Sequence, residues 1–171
     1  HIIMKYIKPI ITIVILVLID QLTKYLIVSN YKVGEGISLI SNVFHITYIR
    51  NDGAAWGLLS GMQLLFYIIT PIVIIIALFL YFKMNIDKRF NVLQILILFV
   101  ISGAIGNYID RIHNGYVIDF LYFKLIDFPV FNVADCYLTV SIILLVLCVF
   151  FKYTEEDFDV LFKKKDKKTN E

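Results

Sequence analysis

Charge is scarce in this sequence. Of 171 residues only 18% are Asp, Glu, Lys or Arg, while 60% are apolar. A water-soluble domain carries about a quarter charged and about half apolar residues, so this composition argues against one. Cysteine is scarcer still. Cys136 and Cys148 fall in one apolar run, with neither the spacing nor the context of a zinc site or a disulfide framework. They read as small packing thiols. G-x-S-x-G, H-E-x-x-H and any clustered His/Cys set are also missing, which leaves serine-type and zinc-dependent hydrolysis without sequence support. No metal, cofactor or nucleic-acid partner is expected. His45 and His113 stand isolated and read as surface residues.

What the chain does have is long apolar runs. Four stand out, at about 7–28, 64–82, 92–112 and 134–151, each near the length of ~18 residues or more that crosses a bilayer. The expected fold is therefore an all-α integral membrane protein, one domain over 1–171, with four transmembrane helices. The first run follows Lys5 and Lys8 as a secretory signal would. Its core is long, however, carries Asp20 and ends in "DQLTKYLIV" without an A-x-A site, so it reads as a retained span. Met4 is expected to be the natural start, with the residues before it foreign to the protein.

Lysine and arginine divide unevenly. The N-terminus (Lys5, Lys8), the loop between the second and third spans (Lys83, Lys88, Arg89) and the tail from Lys152 onward hold most of them. The loops 29–63 and 113–133 hold only Lys32, Arg50 and Lys124, with Arg111 at the outer end of the third span. Basic excess marks the cytoplasmic side, which places both termini inside and these two loops outside. The tail, with "KKKDKK", reads as a solvated basic run drawn to anionic headgroups. In the first outer loop, "SLISNVFHITYIRN" alternates in part, predicting a small hairpin with Ser41-Asn42 at its turn. Pro71 predicts a kink in the second span.

The few polar residues inside the spans gather at one depth. Asp20 and Lys24, Asn51, Asn107 with Asp110 and Arg111, and Asn132 with Asp135 all fall near the outer interface. Each has a plainer use. Asp20 and Lys24 are spaced for a local i, i+4 ion pair. Asp110 and Arg111 suit a helix end anchored in headgroups. Trp56 and the tyrosines at span ends suit interface anchors, and the small residues of "GAAWG" and "SGAIG" suit close helix packing. Asp119, in "GYVIDF", and Asp135, in "FPVFNVADCY", are harder to explain as packing. Two aspartates close together share one proton. The ionised member can then draw a proton from an attacking water while the protonated one supports the carbonyl oxygen.

Five segments in order, "DQLTK" (20–24), "RNDGAAWG" (50–57), "GAIGNYIDR" (103–111), "VIDF" (117–120) and "FNVAD" (131–135), resemble the successive motifs of bacterial lipoprotein signal peptidase, signal peptidase II. The resemblance covers all four spans and both outer loops. It implies an aspartic protease of the bacterial cytoplasmic membrane with four helices and a small extracytoplasmic β-hairpin or cradle, its active site on that outer face. The substrate it implies is a prolipoprotein already carrying a diacylglyceryl group on a cysteine, cut just before that cysteine. Asp119 and Asp135 match the catalytic pair, and Asp110 matches a supporting position. Asn51, Asn107, Arg111 and Asn132 match polar positions that orient substrate or support the pair. Asp20 and Lys24 match a pair that steadies the first span. "SGAIG" departs from the usual double glycine, and Cys136 stands where small or hydroxyl residues are common; neither touches the pair. Membrane lipids are expected partners, and a monomer is compatible with the sequence. Two rivals compete with this reading. A proton-coupled transporter would place acids near mid-membrane with entry from both sides. A non-catalytic scaffold leaves Asp119 and Asp135 without a reason.

Overall fold

The computed structural model describes residues 2–53 and 63–162. In chain order it contains α1 (Ile2–Asn30), β1 (Gly36–Ile40), β2 (Phe44–Asn51), α2 (Gln63–Met84), α3 (Asn91–Asn114), β3 (Val117–Phe123), α4 (Val133–Phe151) and α5 (Glu155–Phe162). Short 3-10 turns precede α3 and follow β3. Helices α1 to α4 are long and apolar enough to cross a membrane, and they coincide with the four expected spans. Helix α2 continues through Pro71, where the sequence predicts a kink.

Burial sorts these helices. About 67% of the apolar window of α3 is covered by protein, against 17% for α1 and 11% for both α2 and α4. Side chains such as Leu18, Ile75 and Phe79 stay more than half exposed. So much uncovered apolar surface is untenable in water but costs nothing against lipid tails. α3 is thus the central post, and α1, α2 and α4 pack against it. Small residues allow the close approach. A Cβ at Gly103 would stand 2.6 Å from the Ala134 carbonyl oxygen of α4, and one at Gly106 would stand 2.5 Å from Asp20 Oδ2 of α1. The expectation that the glycines of "SGAIG" serve helix packing holds.

At one end of the bundle lies an antiparallel sheet of order β1-β2-β3. Its hairpin turns at Ser41-Asn42 as predicted, with Asn42 at φ 58°, a left-handed conformation that Asn tolerates. The third strand is not anticipated by the hairpin reading. Val117–Phe123 pairs with β2 in a register that sets Asp119 opposite Ile49 and Val117 opposite Asn51. Its "VIDFLYF" is rich in strand-forming residues, but residues 117–120 are all buried, so no alternation marks it. Ile27, Tyr48, Ile118 and Phe120 form a core that joins the sheet to α1.

A second core, with Tyr81, Met84, Phe90, Leu93, Tyr153 and Leu161, closes the other end. The segment between α4 and the basic run is folded here. Residues 155–162 form α5, whose first turn is acidic (Glu155, Glu156, Asp157). Thr154 opens it, its backbone N–H donating to Asp157 Oδ2 at 3.0 Å. Acids suit the positive end of a helix, and Leu161 joins the core, which is why the segment folds. Arg89 ties it down by donating to Asp157 Oδ1 at 2.7 Å. The basic run at 163–168 and Trp56 lie outside the described residues.

Candidate active site

The site begins at the first turn of α4, whose N–H groups have no partner within the helix. Asn132 caps it. Its Oδ1 accepts from the Asp135 N–H at 2.9 Å, and Asp135 Oδ2 accepts from the Asn132 N–H at 3.1 Å. Asp20 Oδ1, from α1, accepts from the Ala134 N–H at 2.9 Å. Asp135 is therefore aimed by a reciprocal capping box, which the N-x-x-D spacing of "NVAD" signals and the sequence reading missed. Its other oxygen, Oδ1, accepts from Asn107 Nδ2 of α3 at 2.7 Å.

Asp119 reaches the same place from β3 and is only 1% exposed. Its Oδ1 accepts from Asn132 Nδ2 at 2.7 Å and its Oδ2 from Asn51 Nδ2 at 2.8 Å. Asn51 is itself held, its Oδ1 accepting from the Gly53 N–H at 3.0 Å in a local turn. One residue thus serves both acids. Asn132 gives its side-chain amide to Asp119 and its backbone N–H to Asp135. Burial pushes the Asp119 carboxyl up from 3.8 to about 7, and the nearby Asp135 charge adds to this while the Asn51 and Asn132 donors oppose it.

Behind the two aspartates lies a buried charge cluster. Lys24 Nζ stands 2.9 Å from Asp20 Oδ2 and 2.9 Å from Asp110 Oδ2, and it donates to Asn107 Oδ1 at 3.0 Å. Gln21 Nε2 donates to Asp110 Oδ1 at 3.0 Å and to the Gly106 carbonyl at 3.1 Å. The Ile118 N–H donates to Asp110 Oδ2 at 3.0 Å, which fastens β3 to the end of α3. The predicted Asp20–Lys24 pair exists, but it is half of a triad. Asp110 is not a headgroup anchor: at 2% exposed it is the second partner of Lys24. A lone ammonium at this depth would cost several kcal/mol, so the carboxylates are a condition of burying it. Gln21 was not singled out from the sequence, although its place between Asp20 and Lys24 would allow it.

Arg111 points elsewhere. Its guanidinium lies 4.4 Å over the Phe66 ring, and it reaches the Asn107 carbonyl at a long 3.4 Å. With Asn107 and Asp135 it lines one wall of a cavity of about 300 Å³ between α2, α3 and α4. Phe66, Ile69, Val73 and Leu138 make the other walls apolar. Such a cavity suits a chain whose backbone is polar and whose side groups are not. Among the described residues no group of three or more His, Cys, Asp or Glu is placed to hold a metal ion.

Residues 12–151 match the family model described as signal peptidase (SPase) II. The chain is 42% identical over 147 residues to the lipoprotein signal peptidase of Lactococcus lactis subsp. lactis (strain IL1403), covering 85% of this chain and 95% of that protein. It is 41% identical over 139 residues to the lipoprotein signal peptidase of Staphylococcus aureus (strain JH9), covering 80% and 83%. A solved structure described as a bacterial membrane enzyme determined by the in meso method at 1.9 Å resolution superposes with a TM-score of 0.74 at 37% identity, covering 87% of this chain and 96% of that one. A second, at 2.3 Å resolution, also superposes with a TM-score of 0.74, at 36% identity.

Proposed function

The chain belongs to the signal peptidase II family, and from that premise we propose that it is a membrane aspartic endopeptidase that frees signal peptides from diacylglyceryl-modified prolipoproteins. The observation that carries the catalytic reading is the joint hold of Asn132 on Asp119 and Asp135, one carboxylate on its side chain and the other on its backbone.

In this reading the pair shares one proton, which we assign to Asp119, the carboxyl that burial and the neighbouring Asp135 charge push up to about 7. Asp135, with Asn107 and Asn132 donating to it at the positive end of α4, is the ionised partner. A water oxygen attacks the scissile carbonyl carbon as Asp135 takes its proton, while the Asp119 proton passes toward the carbonyl oxygen. The C–N bond then breaks, the leaving nitrogen takes a proton from Asp135, and a hydroxyl of the tetrahedral intermediate returns its proton to Asp119, which leaves a carboxylic acid, an amine and the pair as it began. Asn51, Asn107 and Asn132 hold the acids in place, and Arg111 faces the substrate backbone in the cavity.

The substrate explains the location. A diacylglyceryl anchor cannot readily leave the bilayer, since each buried methylene contributes about 0.8 kcal/mol. A protease for it must work where lipid meets water, and all these polar groups lie at one end of an apolar bundle. On the positive-inside argument that end is extracytoplasmic, both termini are cytoplasmic, and the enzyme resides in a bacterial cytoplasmic membrane. The polar clustering at a single end, with β3 and the capped end of α4 converging there, also favours hydrolysis over the transporter reading.

The test is incubation of the purified protein with a precursor peptide, with and without diacylglyceryl on its cysteine. Release of a product beginning at the lipidated cysteine, and far slower cleavage of the unlipidated peptide, is expected. Equal rates on both peptides, or no cleavage of either, would contradict the proposal.

A further inference from the structure

Lys24 touches neither aspartate of the pair, yet its hydrogen bonds decide how one of them is held. An ammonium can only donate. Its three N–H bonds are all accounted for, two to Asp20 and Asp110 and the third to Asn107 Oδ1. Asn107 could be turned either way by its own shape, because the two ends of an amide are nearly equal in size. With Lys24 at one side, only the oxygen can face it, and the amino group must face Asp135. Asn132 Nδ2 reinforces this by donating to the same oxygen at 3.0 Å.

We propose that Lys24 is a positioning residue of the hydrolytic step, acting through Asn107: it fixes the amide so that its NH₂ aims and holds Asp135 Oδ1. The inference rests on the reading of Asp119 and Asp135 as the catalytic pair. It gives the buried triad a purpose beyond steadying α1. Asp20 and Asp110 neutralise Lys24 and anchor it, and each also fastens an element that carries one of the pair. Asp20 accepts from the Ala134 N–H of α4, and Asp110 accepts from the Ile118 N–H of β3. The ammonium therefore stands at the point where α1, α3, α4 and β3 are registered on one another. Gly106 permits it, since any side chain there would meet the Asp20 carboxylate.

A double-mutant cycle on the full-length protein tests this, reading kcat and KM for a lipidated precursor peptide. Lys24→Met and Asn107→Ala should each lower kcat by about 100-fold, the scale of a misaimed catalytic group. For Lys24→Met, KM should stay within about threefold, because Lys24 makes no substrate contact. Adding Lys24→Met to Asn107→Ala should then lower kcat by less than about threefold more, since the residue it acts through is already gone. Lys24→Met strands two buried carboxylates, so the cycle is repeated with Asp20→Asn/Lys24→Met, which leaves the triad with one net negative charge, as in the parent. Thermal unfolding in detergent shows which variants are folded. Losses that multiply across the cycle in the folded variants, or a Lys24→Met loss carried by KM, would overturn the role given to Lys24. Failure of the catalytic reading itself looks different, as retained activity in Asp119→Asn or Asp135→Asn.

Discussion

At the scale of single residues, Asn132 carries the most. It caps α4, orients Asp135 through that cap, and reaches Asp119 with its remaining amide hydrogens. Replacing it with Ala should cost about 0.5–2 kcal/mol in stability for the lost cap alone, and should lower cleavage far more than the fall in thermal midpoint explains. Asp119 makes a prediction of its own. Its folded value is raised from 3.8 to about 7, so the folded protein binds this proton over a range in which the unfolded chain has released it. Stability from this group is therefore greatest below about pH 4 and is lost as pH rises toward 7. Thermal midpoints across that window should fall less steeply in Asp119→Asn than in the parent. In the parent, kcat/KM should decline above about pH 7 as the pair loses its shared proton. That Asp119 and Asp135 would meet at one end of the bundle was legible in the sequence, because packing offered them no occupation and the ordered motifs paired them. The second partner of Lys24 was not legible. Which face of α3 Asp110 occupies relative to α1 depends on the helix crossing, and sequence spacing along one chain segment does not contain it.

At the scale of elements, α3 decides the architecture. It is the most covered of the four long helices, and its glycines let α1 and α4 come close enough for Asp20 and Ala134 to meet. Gly103→Ala places a methyl 2.6 Å from a backbone carbonyl oxygen, which cannot yield without moving α4. Overpacking of this kind typically costs about 1–3 kcal/mol. Gly106→Ala meets the Asp20 carboxylate instead, so it should disturb the Lys24 cluster and reduce cleavage as well. Thermal unfolding and a cleavage assay on the two variants separate these effects: both should be less stable, and equal, parent-like activity in both would refute the distinction. The spans were legible because apolar runs of this length would be insoluble if left in water and are too long for most buried core helices. β3 was not, because burial on both faces erases the alternation by which a strand is read. α5 was hidden by the basic run beside it, whose charge outweighs the acidic, capped turn at 154–157 in any reading by composition.

At the scale of the whole molecule, the two ends of the bundle do different work. One is closed by an aromatic core and the α5 strap; the other carries the sheet, the polar network and the cavity. Between them the outer surfaces of α1, α2 and α4 are apolar and uncovered, as a bilayer requires. Single cysteines placed on the β1–β2 turn and after α5, in a background lacking Cys136 and Cys148, should react with an impermeant thiol reagent only in the first case when intact cells are labelled. The reverse pattern would invert the orientation. The central claim, that a carboxylate pair at this end performs peptide hydrolysis, is tested most directly by cleavage of a diacylglyceryl-modified precursor by Asp119→Asn and Asp135→Asn. Both proteins should fold and bind the precursor yet show no cleavage above background. Parent-level cleavage by either one would contradict the account.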